Sequence, residues 1–273
     1  MPTAVSDLIL KRPKSLKQAL AMLGDDPSLT PIAGCTDVYV GLQFGSVKEK
    51  RFLDLWELKE LRGIAMEDGC VRVGALTTYT DLIASKLIQR RLPMLVAASR
   101  EVGGAQIQNR GTIGGNVANA SPAGDTLPVL AAAGAHVVLR SKTGERTVPF
   151  NAFYTGYRTS VRQPDELITA IAFPRVDGTQ WWRKVGTRRA QAISKIMMAA
   201  VRGPEVRIAI GSVAPTVVLA TRTATILSGG GTMADAQAAL RSEIAPIDDV
   251  RSTREYRLTV AANLLDSFWS ATA

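Results

Sequence analysis

Two glycine-rich segments constrain this chain more than anything else in it: Pro31-Ile32-Ala33-Gly34-Cys35-Thr36-Asp37 and Gly111-Thr112-Ile113-Gly114-Gly115-Asn116. Each follows a stretch whose pattern predicts regular structure, which makes it a loop at the end of an element. Glycine lets the backbone approach a neighbour closely, and consecutive N–H groups can then form a concave nest for an anion. Thr36, Thr112 and Asn116 add side-chain donors. Neither segment has the spacing G-x-G-x-x-G, and neither ends in Gly-Lys-Ser/Thr, so both common nucleotide loops are excluded. One such segment is as readily a plain turn. Two of them suit a ligand with two adjacent phosphates, as in a dinucleotide. The stretch after the second, Asn119-Ala120-Ser121-Pro122-Ala123-Gly124-Asp125, adds small residues and a carboxylate. Asp125 could accept hydrogen bonds from ribose hydroxyls or an adenine amine, or could cap a helix over 127–133.

The pattern around these loops is α+β. Ser15 and Gln18 form a capping box for a helix with Leu16, Ala19, Leu20 and Leu23 on one face and Gly24 as its stop. Strands are predicted at 30–33 and 51–55, then at 70–74, where Cys70-Val71-Arg72-Val73-Gly74 alternates. Helices follow at 79–85 and 92–102, the second stopped by Gly103-Gly104, and a long glycine-rich loop leads to strands at 135–140, 146–149 and 167–173. Pro174 to Gly178 reads as a linker. Beyond it come strands at 181–185 and 206–212, a turn at Gly229-Gly230-Gly231, an alanine-rich helix, and a last helix capped by Ser252 and Glu255 with Tyr256, Val260, Leu264 and Phe268 on one side.

Composition narrows the chemistry. The 273 residues are 46% hydrophobic and 21% charged, as in ordinary globular proteins. No apolar run approaches the roughly 20 residues that span a bilayer, and the start lacks a signal-peptide layout, so the expectation is a cytoplasmic chain with no membrane partner. With two cysteines, Cys35 and Cys70, and the single histidine His136, the chain cannot assemble an iron–sulfur cluster or a structural zinc site. A Cys35–Cys70 disulfide is not expected in a cytosolic protein, and one histidine in an apolar strand argues against a Ser-His-Asp site. The net charge of +9 accompanies only 5% aromatic residues, with the basic residues spread along the chain. That distribution speaks for an anionic cofactor or a docking surface and against nucleic acid.

Longer segments carry a family resemblance. Gln106-Ile107-Gln108-Asn109-Arg110-Gly111-Thr112-Ile113-Gly114-Gly115-Asn116-Val117-Ala118-Asn119-Ala120-Ser121-Pro122 resembles the second FAD motif of the xanthine dehydrogenase and carbon monoxide dehydrogenase flavoproteins, and Ala33-Gly34-Cys35-Thr36-Asp37 resembles the first. Arg62-Gly63-Ile64, Val73-Gly74-Ala75, Asp165-Glu166-Leu167-Ile168 and Arg183-Lys184-Val185-Gly186-Thr187-Arg188-Arg189 match in order and spacing, so the likeness runs from about residue 8 to about 268. It is best to the separate FAD subunits of bacterial xanthine-dehydrogenase-type enzymes.

The resemblance implies an α+β fold: a two-subdomain, PCMH-type FAD-binding domain (1–57 and 58–174) followed by a small α+β C-terminal domain (175–273). It implies that Ile32, Ala33, Gly34, Cys35, Thr36 and Asp37 meet the FAD pyrophosphate and nearby flavin. Thr112, Gly114, Gly115 and Asn116 would form the other side, with Ser121 and Asp125 reaching phosphate or adenosine ribose. Lys184 would lie near the flavin ring and stabilise its reduced anion, or else be a solvated strand lysine. By family logic, electrons come from a molybdenum cofactor on a large molybdopterin-binding subunit through 2Fe-2S clusters on a small subunit, reach FAD here, and leave to NAD or another acceptor. A related hydroxylase acting on carbon monoxide, an aldehyde or an N-heterocycle is the alternative, and a cofactor-free scaffold a more distant one. Two departures stand out. Cys35 stands where the family often has glycine or another small residue, making its thiol a candidate for redox sensitivity. The loop Arg188-Arg189-Ala190-Gln191-Ala192 is neutral or basic where animal xanthine dehydrogenases are acidic, which weakens the case for NAD.

Overall fold

A computed structural model describes residues 7–273, and three main sheets organise them, with a two-stranded ribbon, Tyr154–Gly156 and Thr159–Ser160, beside them. The first is parallel, in the order Ile9–Lys11, Arg51–Asp54, Thr30–Ile32. Helix Leu16–Asp25 links the outer strands and turns Leu16, Ala19, Leu20 and Leu23 inward, as the sequence predicts. Ser15 caps it by accepting from the Gln18 N–H at 3.2 Å, but Gln18 returns its bond to Lys14 N–H at 2.6 Å rather than to Ser15. Gly24 lies inside the helix instead of ending it; the C-cap is Asp26. The core beneath this sheet extends past residue 57, because Leu58, Leu61, Leu76 and Leu167 join Leu20, Leu23 and Leu53 in it.

The second sheet is antiparallel, in the order Ile64–Glu67, Cys70–Gly74, Leu167–Phe173, His136–Arg140, Glu145–Pro149. His136 is a half-buried strand residue here. A bulge at Thr169 interrupts the central pairing and frees the Thr169 carbonyl to accept from Ala75 N–H at 3.0 Å. Helices Tyr79–Ala84, Lys86–Arg91, Pro93–Arg100 and Leu127–Ala132 cover one face. The expected long loop after Gly104 contains two short helices, Ala105–Gln108 and Ile113–Asn119. Glycine-rich composition hides them, since glycine disfavours helix and only tertiary packing holds these turns.

The third sheet is antiparallel: Thr179–Val185, Ile196–Arg202, Arg207–Gly211, Val218–Leu219. Its second strand, Ile196-Met197-Met198-Ala199-Ala200-Val201-Arg202, is absent from the sequence reading. It is buried on both faces: Ile196, Met198 and Ala200 pack towards helices Thr221–Ser228, Met233–Glu243 and Arg254–Ala271, while Ala199 and Val201 join the core of the second sheet. A strand covered on both sides loses the polar alternation that would reveal it. The last helix is capped by Thr253, which accepts from Tyr256 N–H, and not by Ser252. Its inward face holds Leu258, Ala261, Leu265 and Phe268 among others, whereas Tyr256 is exposed. Both cysteines are free. Among the described residues no helix is long and apolar enough to cross a membrane, and no cluster of three or more His, Cys, Asp or Glu side chains could hold a metal.

Candidate functional site

A cleft of about 450 Å³ opens between the first and second sheets. Strand Thr30–Ile32 delivers the first glycine-rich segment into it at its C-terminal end, where open parallel sheets place ligands. Ile32, Ala33, Gly34, Cys35, Thr36 and Asp37 all line the cleft, and so do Thr112, Gly114, Gly115 and Asn116. The fold thus brings together two segments far apart in sequence. They touch directly: a Cβ on Gly34 would sit 1.6 Å from the Arg110 carbonyl oxygen. Arg110 also lays its guanidinium over the Trp56 ring at 3.8 Å, with Arg62 over the same ring at 4.4 Å, so cation–π contacts brace the junction.

The two loops offer different groups. Among the described residues, the backbone N–H groups of Gly34, Cys35, Thr36 and Asp37 donate to no protein acceptor and remain available to a ligand. In the second loop the amides from Ile113 to Asn116 are already used. Ile113 N–H donates to Thr77 O, Gly114 N–H to Ala75 O, Gly115 N–H to Thr112 Oγ1 and Asn116 N–H to Thr112 O. The expectation of a nest at both loops is corrected here, because helix Ile113–Asn119 consumes one of them. What the second loop supplies is a smooth glycine surface and side chains. Gly114 is required by packing, since a Cβ there would meet Ala75 at 2.6–2.9 Å. Asn116 has its Oδ1 fixed by the buried Thr126 hydroxyl at 2.7 Å, and no protein acceptor takes its Nδ2 hydrogens among the described residues.

Cys35 has φ +61°, a left-handed conformation that glycine adopts freely and other residues adopt at a cost. Its Sγ donates to the Ala33 carbonyl at 3.4 Å. Burial pushes the thiol pKa up, Asp54 adds to the shift and Arg110 opposes it. A thiol kept protonated is a poor nucleophile, so the redox-sensitive role expected of it finds no support in this environment. At the mouth, desolvation raises the Asp37 carboxyl pKa while Arg158 pulls it down. Arg158 also donates to Asn119 Oδ1 at 2.9 Å.

Ser121, Asp125 and Lys184 do not line the cleft. Ser121 Oγ accepts from Ala123 N–H at 3.3 Å, a local turn. Lys184 donates to Asp125 Oδ2 at 2.8 Å and to the Glu101 carbonyl at 3.0 Å, and its side chain is only 5% exposed. It is therefore not the solvated strand lysine that was the other expectation. The pair joins the third sheet to the second unit one residue from Val102, which does line the cleft. Burial pushes the Asp125 pKa up to about 6, with Lys184 opposing the shift, and its Oδ1 is buried without a partner. Asp125 is not a helix N-cap either: helix Leu127–Ala132 begins after Thr126. The 186–192 loop folds on itself through Arg188, which donates to the Ala190 and Gln191 carbonyls, and the Gln191 side chain lies near Gly104 at the edge of the cleft.

Sequence reasoning missed several lining residues. Asn119 lies within a motif quoted above, and Leu167 and Ile168 within another, yet none was singled out. Tyr79, Leu61, Leu76 and Arg162 carry no local signal; the topology alone places them on the wall.

Residues 6–176 match the family described as FAD binding domain in molybdopterin dehydrogenase, and residues 182–272 match the CO dehydrogenase flavoprotein C-terminal domain. The carbon monoxide dehydrogenase medium chain of Hydrogenophaga pseudoflava is 32% identical, covering 96% of each chain. The xanthine dehydrogenase FAD-binding subunit of Escherichia coli O157:H7 is also 32% identical, over 90% of this chain and 89% of that one. A solved carbon monoxide dehydrogenase structure from Hydrogenophaga pseudoflava superposes with TM-score 0.91 at 28% identity, covering 100% of both chains. Four free amides in a cleft at the end of a parallel sheet, in a fold shared along its whole length with these proteins, lead to one conclusion: the chain belongs to the FAD-binding subunit family of the molybdopterin dehydrogenases.

Proposed function

We propose that this chain is the FAD-binding electron-transfer subunit of a heteromeric molybdenum hydroxylase of the xanthine dehydrogenase type. The observation that carries the reading is the cleft, where a loop with four amides unpaired among the described residues meets a glycine surface and Thr112 and Asn116. That donor set suits an elongated dianion held largely by backbone. When bound, FAD supplies the redox chemistry, taking up and releasing electrons at its isoalloxazine.

The chain's own residues position and shelter that group. The amides of Gly34, Cys35, Thr36 and Asp37 would receive pyrophosphate oxygens, Thr36 adding its hydroxyl. Asn116, its carbonyl locked by Thr126, presents its amide nitrogen. Ile32, Ala33, Leu61, Leu76 and Leu167 would exclude water from the flat ring system when FAD is bound. Lys184 and Asp125 would act from behind the Glu101–Val102 turn, through the field of the pair rather than by contact. We divide the chain into subdomains 1–57 and 58–174 and a domain 175–273, a division supported by the three sheets and by the step between the two family matches at 176 and 182.

The partners in this reading are a large molybdopterin-binding subunit and a small 2Fe-2S subunit, with NAD or another acceptor receiving the electrons. Relatives named as medium chains support the heteromeric assembly. The cytoplasm is the compartment proposed, in keeping with two unpaired cysteines. A hydroxylase for carbon monoxide, an aldehyde or an N-heterocycle is a second reading, favoured by the equal 32% identity to the carbon monoxide and xanthine enzymes. Co-expression with its genomic neighbours tests both. FAD near one per chain, in a complex holding 2Fe-2S and molybdenum, is the expected result, and assays with xanthine, carbon monoxide and nicotinate then separate the substrates. A chain that purifies alone and colourless, even after FAD is supplied, would leave the cofactor-free scaffold as the better description.

A further inference from the structure

Three charged residues line the cleft: Asp37, Arg162 and Glu166. Glu166 is engaged elsewhere. Its Oε1 accepts from Arg146 Nε at 2.6 Å, and its Oε2 accepts from Arg146 Nη2 at 2.8 Å and Gln163 N–H at 2.7 Å. That bidentate pair engages both carboxylate oxygens with Arg146. Arg162 stands beside Glu166 without pairing with it. Its Nη1 donates to the backbone carbonyls of Glu166 at 2.8 Å and Gln163 at 3.1 Å. Among the described residues its Nε and Nη2 donate to nothing, and no carboxylate lies within ion-pair distance.

Neither free nitrogen of Arg162 is sealed from solvent, so the edge is reachable by an anion. Leu55, Leu61, Leu76 and Leu167 line the same cavity, and burial lowers the Arg162 pKa against the pull of Glu166 and Asp165. A half-buried cation with one edge pinned by carbonyls and the other bare is stabilised by an anion that completes it. The pinned edge also fixes the plane of the fork, so little side-chain freedom is lost on binding.

We infer that Arg162 is a cofactor-binding cation of this cleft, whose free Nε/Nη2 edge receives an anionic oxygen of FAD. The inference rests on the FAD reading above and adds to it a residue that no glycine motif contains. Two parts of the cofactor present the required chemistry: a pyrophosphate oxygen, and the N1/C2 carbonyl edge of the reduced flavin, where its negative charge resides.

The test uses the full chain stripped of flavin and its R162Q and R162K variants. FAD and ADP are titrated separately by intrinsic fluorescence, and the two-electron potential of the bound flavin is measured. Loss of one charge-assisted contact predicts that R162Q weakens the affected state by about 10- to 100-fold, with R162K between it and the wild type. If phosphate is the partner, FAD and ADP affinities fall together and the potential stays. If the flavin edge is the partner, oxidised FAD and ADP bind as before and the potential drops by about 30 mV for each tenfold loss. Either result supports the inference. R162K, which keeps the charge, carries the comparison should R162Q lower the melting temperature. Wild-type affinities and potential in both variants overturn the role of Arg162 alone, whereas a wild-type chain that takes up no FAD overturns the FAD reading and this inference together.

Discussion

The two glycine-rich loops of the cleft look alike as text and work by different physics. The 33–37 loop leaves its amides free and must hold a strained residue, Cys35 at φ +61°, to do so. The 111–116 loop has no residue at positive φ, and residues 113–116 have given their amides to Thr77, Ala75 and Thr112. One is a donor surface and the other a packed helix start. Glycine serves both, because the absence of Cβ permits close approach to a ligand and to protein alike. A glycine motif therefore marks where something comes near the backbone without saying what.

The largest expected effect is at the junction of the loops. Gly34→Ala would drive a Cβ into the Arg110 carbonyl, 1.6 Å away, and part the two segments. We expect a stability loss of about 3 kcal/mol or more, roughly 6–12 °C in melting temperature, with FAD uptake abolished. Gly34→Ala with a wild-type melt and a wild-type flavin content would break the claim that the loops meet here.

Asp125, on the chain just beyond the second loop, gives the next effect. Its folded pKa of about 6 lies above the ordinary 3.8, so between those values the folded state binds more protons than the unfolded. Stability then rises as pH falls from 7 towards 4, by on the order of 2 kcal/mol from this group. Melting curves across that range should show the rise, and Asp125→Asn should flatten it; an unchanged slope in the variant would assign the dependence elsewhere.

Smaller changes separate the loops themselves. Gly114→Ala meets Ala75 and should cost about 1–3 kcal/mol, while Gly115→Ala meets only Thr112 Oγ1 at 2.9 Å and should cost about 1 kcal/mol through the lost cap. A cofactor titration alongside the melts sharpens the contrast, since stability should move more than affinity for Gly114→Ala. The smallest effect is at Cys35. Cys35→Gly relieves the left-handed strain and adds chain entropy to the unfolded state, a net gain below about 1 kcal/mol. Iodoacetamide should modify native Cys35 slowly at pH 7, as its raised pKa requires. Fast labelling of the apo chain would reverse that reading and restore a reactive thiol.

Much of the fold is legible where one face meets water. Helix Leu16–Asp25 and strand Cys70–Gly74 lie within a residue or two of their predicted places because apolar spacing announces them, and strand Leu167–Phe173, though buried on both faces, is announced by its run of Leu, Ile and Phe. Legibility fails in two settings. Strand Ile196–Arg202 is buried on both faces, so its sequence shows no alternation, and methionine and alanine carry little strand preference. Helices Val38–Phe44 and Ile113–Asn119 follow or contain glycine-rich segments that read as loops.

The same division runs through the site. Ten of the thirteen candidate residues line the cleft, and all ten belong to the two motifs. Ser121, Asp125 and Lys184 stand outside it, and Arg162 joins it with no motif at all. By itself the sequence determined the α+β class, the two ligand-facing loops and the lack of thiols for an iron–sulfur cluster. Those are local properties, set by backbone conformational preference and by which side chains are present. Tertiary structure alone decided which loop keeps its amides, that Lys184 is spent on Asp125, and that Arg162 is left with an open edge. Each of those depends on which hydrogen-bond partner arrives from a distant segment, and a linear pattern does not encode that competition.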